Sequence, residues 1–121
     1  MSFHVKNKVL SINRKLVDSG LVFLTWGNAS CLSDNRESFF IKPSGVDLTQ
    51  ASEEHVSEVC MKGDHLQGKK PSVDTPTHLA LYRGFSGVGG IVHTHSKYAT
   101  IFAQSNKPIP CFGTTHADYF N

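Results

Sequence analysis

The sequence predicts an α/β domain in which helices and strands pack in layers. Three observations support this prediction. An apolar stripe with helical spacing opens the chain, short apolar segments are separated by turn residues, and segments with helix-cap signals alternate with them. The chain has 121 residues, 39% hydrophobic and 18% charged, so we expect one folded domain over residues 1–121.

The first half reads as one helix followed by short strands. The segment 21–25 is apolar and is either a buried strand or a packed connection. Residues 29–32 and 38–42 are expected to pair as a hairpin around the polar turn at 33–35. The helix that precedes them ends at Gly20 and has apolar residues in 4-3-4 spacing: Val5, Val9, Ile12 and Leu16.

The middle of the chain carries two helix-start signals around a strand. A short helix is expected within 49–56, because Glu53 and Glu54 suit the first turn of a helix. Residues 56–61 read as a strand. Thr75 followed by Pro76 indicates a helix that begins there, with Thr75 as its cap, and runs to about Phe85.

The last third reads as strand, helix and strand. Residues 90–94 are expected to form a buried strand. Ser96 is expected to cap a helix that runs through Ala103. Residues 109–112 are the last strand candidate. The interleaving of helices and strands is the basis of the layered α/β prediction.

Composition argues against several functional classes. The net charge is +2, and the Lys and Arg residues form no basic stripe, so we expect no nucleic-acid partner. We find no signal-peptide pattern and no apolar run of membrane-spanning length, so no membrane partner is expected. Three widely spaced cysteines indicate free thiols in a reducing cytoplasm.

The strongest local signal is the pair His93 and His95. On a strand, side chains two residues apart share a face, so both imidazoles are expected to point to one metal ion. The alternative is a pair of histidines that only satisfy backbone groups. Asp74 adds a carboxylate just before a predicted helix, although it is alternatively only a helix-start residue. His78 is interpreted as a packed or hydrogen-bonded helix residue rather than a ligand.

Two glycine-containing turns are candidate anion sites. They lie at 25–28 and 42–45 and combine hydroxyl or amide side chains with glycine, so backbone N–H groups can approach a phosphate closely. Near the end of the chain, His116 and Asp118 are candidates for general acid-base chemistry, with polar loop residues as the alternative.

Five ordered segments resemble the class II aldolase/adducin family, most closely its L-ribulose-5-phosphate 4-epimerases. They are Leu-Thr-Trp-Gly-Asn (24–28), Ile-Lys-Pro-Ser-Gly-Val-Asp (41–47), Lys-Pro-Ser-Val-Asp-Thr-Pro-Thr-His (70–78), Gly-Gly-Ile-Val-His-Thr-His-Ser (89–96) and Gly-Thr-Thr-His-Ala-Asp-Tyr-Phe (113–120). The resemblance implies a three-layer α/β/α fold and a homotetramer with active sites between subunits. It also implies zinc-dependent conversion of L-ribulose 5-phosphate to D-xylulose 5-phosphate by retro-aldol cleavage and re-addition.

The resemblance assigns roles residue by residue. It implies that His93, His95 and Asp74 are zinc ligands and that Asp118 is a catalytic acid/base, with His116 a weaker candidate. The positions matched to phosphate binding are Gly27, Asn28, Ser44, Gly45 and Ser72.

Two departures from the family pattern bear on activity. Val73 stands where the epimerases usually carry a second serine, so a hydroxyl donor to phosphate is missing. Family enzymes are longer, and their third zinc histidine and a catalytic tyrosine have no counterpart here. We therefore expect a domain incomplete at its C-terminus, and a 121-residue chain that by itself lacks epimerase activity.

Two other functions fit the same resemblance. One is a class II sugar-phosphate aldolase of the L-fuculose-phosphate type, which would release a free aldehyde. The other is a non-catalytic, adducin-like binding module, against which the presence of His93 and His95 argues.

Overall fold

The computed structural model describes residues 2–120 of the chain. Within this range the helices are α1 (Ser2–Asp18), α2 (Thr75–Gly84), α3 (Lys97–Gln104) and α4 (Thr114–Phe120), with one 3-10 turn at Glu53–His55. The strands are β1 (Asn28–Leu32), β2 (Ser38–Ile41), β3 (Ser57–Cys60), β4 (His65–Gln67) and β5 (Gly90–His93).

The five strands form one sheet in the order β4-β3-β2-β1-β5, and each neighbouring pair is antiparallel. The predicted hairpin is β1 and β2, joined through the turn at 33–35. Strand β5 lies at the opposite edge from β4. Its register places His93 directly across from Asn28, so the last residue of β5 meets the first residue of β1.

Helices cover both faces of this sheet, which confirms the layered α/β prediction. On one face, Val9 and Leu10 of α1 pack in a cluster with Cys31 and Phe40. On the other face, Tyr82 of α2 packs in a second cluster, together with Phe39, Ile41 and Val59. Neighbouring residues of β2 therefore enter opposite cores, because side chains alternate along a strand.

Three strand predictions need correction. The segment 90–94 was expected to be buried, but β5 is an edge strand and Val92 is exposed. Residues 21–25, expected to be either a buried strand or a packed connection, form a turn in which Leu21, Phe23 and Leu24 are exposed; the φ of 55° at Leu24 is one that a strand does not accommodate. Residues 109–112 form no strand, because the ring nitrogens of Pro108 and Pro110 have no hydrogen to donate to a neighbouring strand.

The helices agree better with the sequence, although two details differ. Helix α2 begins at Thr75, and its N-cap is Asp74 rather than Thr75. Ser96 is the N-cap of α3 but makes no side-chain capping hydrogen bond. Two elements, β4 and α4, were not predicted. No helix among residues 2–120 combines the length and apolar character that a bilayer crossing demands.

Candidate metal centre

Four predicted site residues meet where β1, β5 and the start of α2 come together. Asn28 is buried, and its Nδ2 donates to Asp74 Oδ2 at 2.6 Å and to Ser72 Oγ at 3.1 Å. His93 Nδ1 lies 3.1 Å from the same Asp74 oxygen. The pairing of Asn28 with His93 in the sheet brings these side chains together, although Asn28 and Asp74 are 46 positions apart in sequence.

The carboxylate of Asp74 forms its hydrogen bonds within this cluster and does not cap helix α2. Asp74 is the N-cap residue of α2, yet its side chain makes no capping hydrogen bond. It accepts from Asn28 and His93 instead. An Asp that merely starts a helix is expected to accept from backbone N–H groups of the first turn. The observed orientation therefore favours a functional role for Asp74 over the simpler helix-start interpretation.

Electrostatics keep the Asp74 carboxylate ionised. Partial burial raises its pKa, but hydrogen bonds from Asn28 and His93 and the nearby His93 and His78 imidazoles outweigh this effect, so the net pKa lies below its usual value. An anionic carboxylate next to imidazoles is a suitable environment for a divalent cation.

His95 stands beside this cluster without joining its hydrogen bonds. Its ring centroid lies 4.9 Å from that of His93 and 5.8 Å from that of Trp26, and its side chain is exposed. Within residues 2–120, no three His, Cys, Asp or Glu side chains are arranged as a preformed metal cluster.

The donor chemistry nevertheless fits zinc. The hydrogen bonds of this cluster use Nδ1 of His93 and Oδ2 of Asp74, which leaves Nε2 of His93 and Oδ1 of Asp74 as ligand atoms. Two neutral imidazoles and a carboxylate are a usual zinc set. A histidine that donates its other N–H to a carboxylate is also common at metal sites, because that bond fixes the ring orientation.

The predicted phosphate-binding positions lie on segments that the fold brings together. Ser72 N–H donates to the Lys42 carbonyl at 3.1 Å, and Ser44 N–H donates to the Lys70 carbonyl at 2.8 Å, so segments 42–44 and 70–72 run side by side. Gly45 and Lys42 line a cavity of about 380 Å³ together with Thr25. The hydrogen bond between Asn28 and Ser72 joins these positions to the Asp74 cluster.

Gly27 has a structural reason to be glycine. Its φ is 109°, and a Cβ at this position would lie 2.9 Å from the His93 carbonyl oxygen. The backbone of residue 27 is therefore packed against the end of β5, where the histidines lie.

Sequence reasoning missed two features of this region. Lys42 is only 5% exposed, it forms no salt bridge within the described range, and burial lowers its pKa while the charge of Asp74 partly opposes that change. A buried cation beside the predicted phosphate turn suits an anion. The second feature is a buried hydrogen-bonded group of Ser30, His78 and Tyr82. Its members are up to 52 positions apart, so no local sequence pattern predicts it.

Asp118 does not join the cluster in this chain. It lies on α4, where it is exposed, and its carboxylate takes part in none of the side-chain hydrogen bonds within residues 2–120. His116, on the same helix, has its ring 5.6 Å from that of Phe120. The structure therefore brings together Asp74, His93, Asn28 and Ser72, with His95 adjacent, and leaves Asp118 apart.

Comparison with known proteins identifies the family. Residues 7–121 match the class II aldolase and adducin N-terminal domain. The chain belongs to the class II aldolase and adducin family. Of the curated relatives, the probable L-ribulose-5-phosphate 4-epimerase UlaF of Mycoplasma pneumoniae is 48% identical over 118 residues, which cover 96% of this chain and 49% of that protein.

Class II aldolases of known structure share the fold. An L-fuculose 1-phosphate aldolase superposes with a TM-score of 0.81 at 29% identity. The superposed region covers 89% of this chain and 51% of the aldolase chain. The L-fuculose-1-phosphate aldolase of Thermus thermophilus, at 24% identity and a TM-score of 0.75, covers 98% of this chain and 60% of its own. The chain thus spans about half the length of the curated class II aldolase-family relative that it matches.

His78 provides a pH-dependent prediction for this class II aldolase domain. Burial lowers its pKa to about 4 from an ordinary value of 6.5, so between these values the unfolded chain binds a proton that the folded chain does not. The free energy of unfolding should therefore fall as pH drops from 6.5 to 4, by at most about 1.4 kcal/mol per pH unit. Urea unfolding of the metal-free chain at several pH values measures this slope. The substitution His78→Gln should flatten the dependence of the unfolding free energy on pH. A flat dependence in the unaltered chain would contradict the lowered pKa of His78.

Proposed function

We propose that this chain carries the zinc and phosphate sites of an L-ribulose-5-phosphate 4-epimerase. The observation that carries the proposal is the cluster in which Asn28 joins Asp74 and His93 to Ser72, with His95 adjacent. One arrangement thereby connects the proposed metal ligands to the proposed phosphate-binding positions. The identity of 48% to a probable epimerase supports this reaction over others of the family.

The proposed reaction inverts C4 of L-ribulose 5-phosphate to give D-xylulose 5-phosphate. Loss of the C4 hydroxyl proton to a base and cleavage of the C3–C4 bond give glycolaldehyde phosphate and a three-carbon enediolate. Re-addition to the opposite face of the aldehyde restores the bond with C4 inverted. Bound zinc supplies Lewis-acid stabilisation of the negative charge that develops during cleavage.

The side chains of this chain take distinct parts in that scheme. His93, His95 and Asp74 hold the zinc ion. The hydrogen bond from Asn28 keeps the Asp74 carboxylate in place.

The phosphate positions retain the aldehyde fragment while it turns. Ser44 and Ser72 lie on the paired segments, Gly45 and Lys42 line the cavity, and the hydrogen bond from Asn28 to Ser72 joins these positions to the proposed metal centre. Gly27 precedes Asn28 and completes the proposed phosphate-binding set. Val73 is 81% exposed and offers no hydroxyl donor, so phosphate binding depends on these other groups. We expect retention of this fragment to separate epimerisation from simple cleavage.

Asp118 is proposed to act as the acid/base from a neighbouring copy of the chain. Its position on α4, outside the hydrogen-bonded cluster of its own protomer, agrees with active sites formed between the subunits of a homotetramer. A charged sugar phosphate is retained inside cells, and we therefore propose a cytoplasmic location.

An aldolase acting on a sugar phosphate is the second candidate. The similarity to an L-fuculose 1-phosphate aldolase, with a TM-score of 0.81 at 29% identity, favours it. The two functions differ in their products: an aldolase releases a free aldehyde, whereas an epimerase returns an intact pentulose phosphate.

Two preparations test the proposed function. We expect the 121-residue chain by itself to show no turnover, because it spans about half the length of the curated relative and lacks counterparts of the third zinc histidine and the catalytic tyrosine that the family resemblance implies. We expect turnover when this chain is joined to the part of the Mycoplasma pneumoniae relative beyond the matched region, since the chain covers 49% of that protein. D-xylulose 5-phosphate as the product supports the proposal, and free aldehyde supports the aldolase. A folded, zinc-loaded fusion that is inactive on L-ribulose 5-phosphate contradicts the proposal, and His93→Ala in the active fusion is the control.

A further inference from the structure

His95 is not held by the strand that carries its neighbour His93. Strand β5 ends at His93, so His95 lies two residues beyond the sheet pairing. Its side chain is exposed, and neither ring nitrogen takes part in a hydrogen bond to any of residues 2–120. An exposed side chain of this kind normally samples several rotamers, and restricting it to one of them costs conformational entropy when an ion binds. A contact other than strand pairing or a hydrogen bond must therefore place this proposed zinc ligand.

Two aromatic rings lie next to the His95 imidazole. The centroid of the His95 ring is 4.9 Å from that of His93 and 5.8 Å from that of Trp26. Both distances fall within the range of about 4.5–7 Å in which aromatic rings attract each other. Two imidazoles that bind one tetrahedral zinc ion through nitrogens at about 2.0–2.1 Å have ring centres roughly 5 Å apart. The contact with Trp26 therefore coexists with a spacing of His93 and His95 that suits a shared ion.

Trp26 is itself fixed by a tight turn. Its backbone N–H donates to the Phe23 carbonyl at 3.0 Å, and the two residues pair as an isolated antiparallel bridge. Their rings also pack against each other, with centroids 5.8 Å apart. Leu24, inside the turn, has a φ of 55°, a value that residues other than glycine seldom adopt. The indole is therefore anchored by its own turn, although it is about half exposed.

The same turn contacts the chain segment that leads to His95. Gly27 follows Trp26, and a Cβ on Gly27 would lie 2.9 Å from the His93 carbonyl oxygen and 3.6 Å from Thr94 Cα. The backbone at residue 27 thus meets the backbone at 93–94 with no room for a side chain. Trp26 and His95 also line one open cavity of about 450 Å³, so the imidazole is open to solvent on the cavity side. The indole is therefore a fixed neighbour of an otherwise loosely held ring.

We propose that Trp26 is a positioning residue for the proposed zinc ligand His95. Its indole ring restricts the imidazole to positions beside His93, so less conformational entropy is lost when zinc binds. The turn at 23–26 and the contact of Gly27 with the end of β5 keep the indole at this place. The inference rests on the proposed function, because it takes His95 to be a zinc ligand.

The first test compares two substitutions of Trp26 by zinc titration calorimetry in phosphate-free buffer. Trp26→Phe keeps an aromatic ring beside His95, so zinc affinity should stay within about twofold of that of the unaltered chain. Trp26→Leu keeps an apolar side chain but removes the ring, and zinc should bind about 3–10-fold more weakly, the factor that corresponds to one aromatic pair. Circular dichroism verifies that each variant is folded.

Phe85→Leu is the matched control for the loss of an exposed aromatic ring. Phe85 is 58% exposed, against 52% for Trp26, and it is the C-cap residue of α2, at the opposite end of that helix from Asp74. Zinc affinity should not change in this variant. Unchanged or tighter binding in folded Trp26→Leu would overturn the proposal. Equal losses in Trp26→Leu and Trp26→Phe, or an equal loss in Phe85→Leu, would overturn it as well.

The second test needs no zinc. Three-bond NMR couplings show whether the χ1 angle of His95 occupies one rotamer or averages over several. We expect one rotamer in the unaltered chain and in Trp26→Phe, and averaged couplings in Trp26→Leu. Averaging in the unaltered chain, or a single rotamer in Trp26→Leu, would overturn the inference. If the unaltered chain binds no zinc, the proposed function fails, and the couplings still decide whether Trp26 positions His95. The two failures are therefore distinguishable.

Discussion

Replacing His93 or His95 with alanine is expected to weaken zinc binding by about 100-fold or more, because loss of a direct ligand should exceed the 10–100-fold effect typical of outer partners. Each imidazole provides one of only two nitrogen ligands in the proposed site. The remaining groups, the second imidazole and the Asp74 carboxylate, leave the ion with water at the vacated position. Zinc titration calorimetry of the purified chain measures the change directly.

The chain offers a matched control for these two substitutions. His65 is an exposed histidine on β4, at the edge of the sheet opposite to β5. His65→Ala removes an imidazole without touching the cluster, so zinc affinity should not change. Binding that survives in His93→Ala, or falls equally in His65→Ala, would contradict the assignment of the site to β5.

Gly27→Ala is expected to be the most destabilising single substitution near the site. A Cβ at this position would lie 2.9 Å from the His93 carbonyl oxygen, and the φ of 109° is strained for any residue with a Cβ. Backbone strain costs about 1–3 kcal/mol, and a collision with backbone atoms adds to it. We therefore expect a loss of about 3 kcal/mol or more in the free energy of unfolding, measured with urea.

Gly20→Ala separates strain from collision. Gly20 also has a positive φ, of 70°, but a Cβ there would meet nothing within 4 Å. Its substitution should cost only about 1–2 kcal/mol and leave zinc affinity unchanged. Gly27→Ala should also weaken zinc binding, since relief of the collision moves the end of β5. Equal costs for the two substitutions, with zinc affinity unchanged in both, would show that Gly27 does not position His93.

The residues of the candidate metal centre could be predicted from the sequence, but the contacts between them could not. The two-residue repeat of a strand pointed to His93 and His95, but β5 ends at His93, so His95 lies beyond the strand and its place 4.9 Å from the His93 ring does not follow from that repeat. The hydrogen bond from Asn28 to Asp74 depends on the pairing of β1 with β5 and on the position of α2. No local pattern encodes such a long-range contact.

The errors in the fold prediction have physical causes. Apolar residues at Ile91 and Val92 indicate a strand buried on both faces, but no further strand pairs with the outer edge of β5 in the described range. Helix α4 was not predicted, because Gly113 and the two threonines at its start are weak helix formers. The apolar residues at 109–112 suggested a strand that Pro108 and Pro110 prevent.

A crystal structure of the chain grown with zinc, phased near the zinc absorption edge, tests the central claim most directly. We predict one anomalous peak, about 2.0–2.2 Å from a ring nitrogen of His93, a ring nitrogen of His95 and an oxygen of Asp74. Zinc bound elsewhere on the chain, with the hydrogen bond between His93 and Asp74 undisturbed, would contradict the claim that these three side chains share one cation.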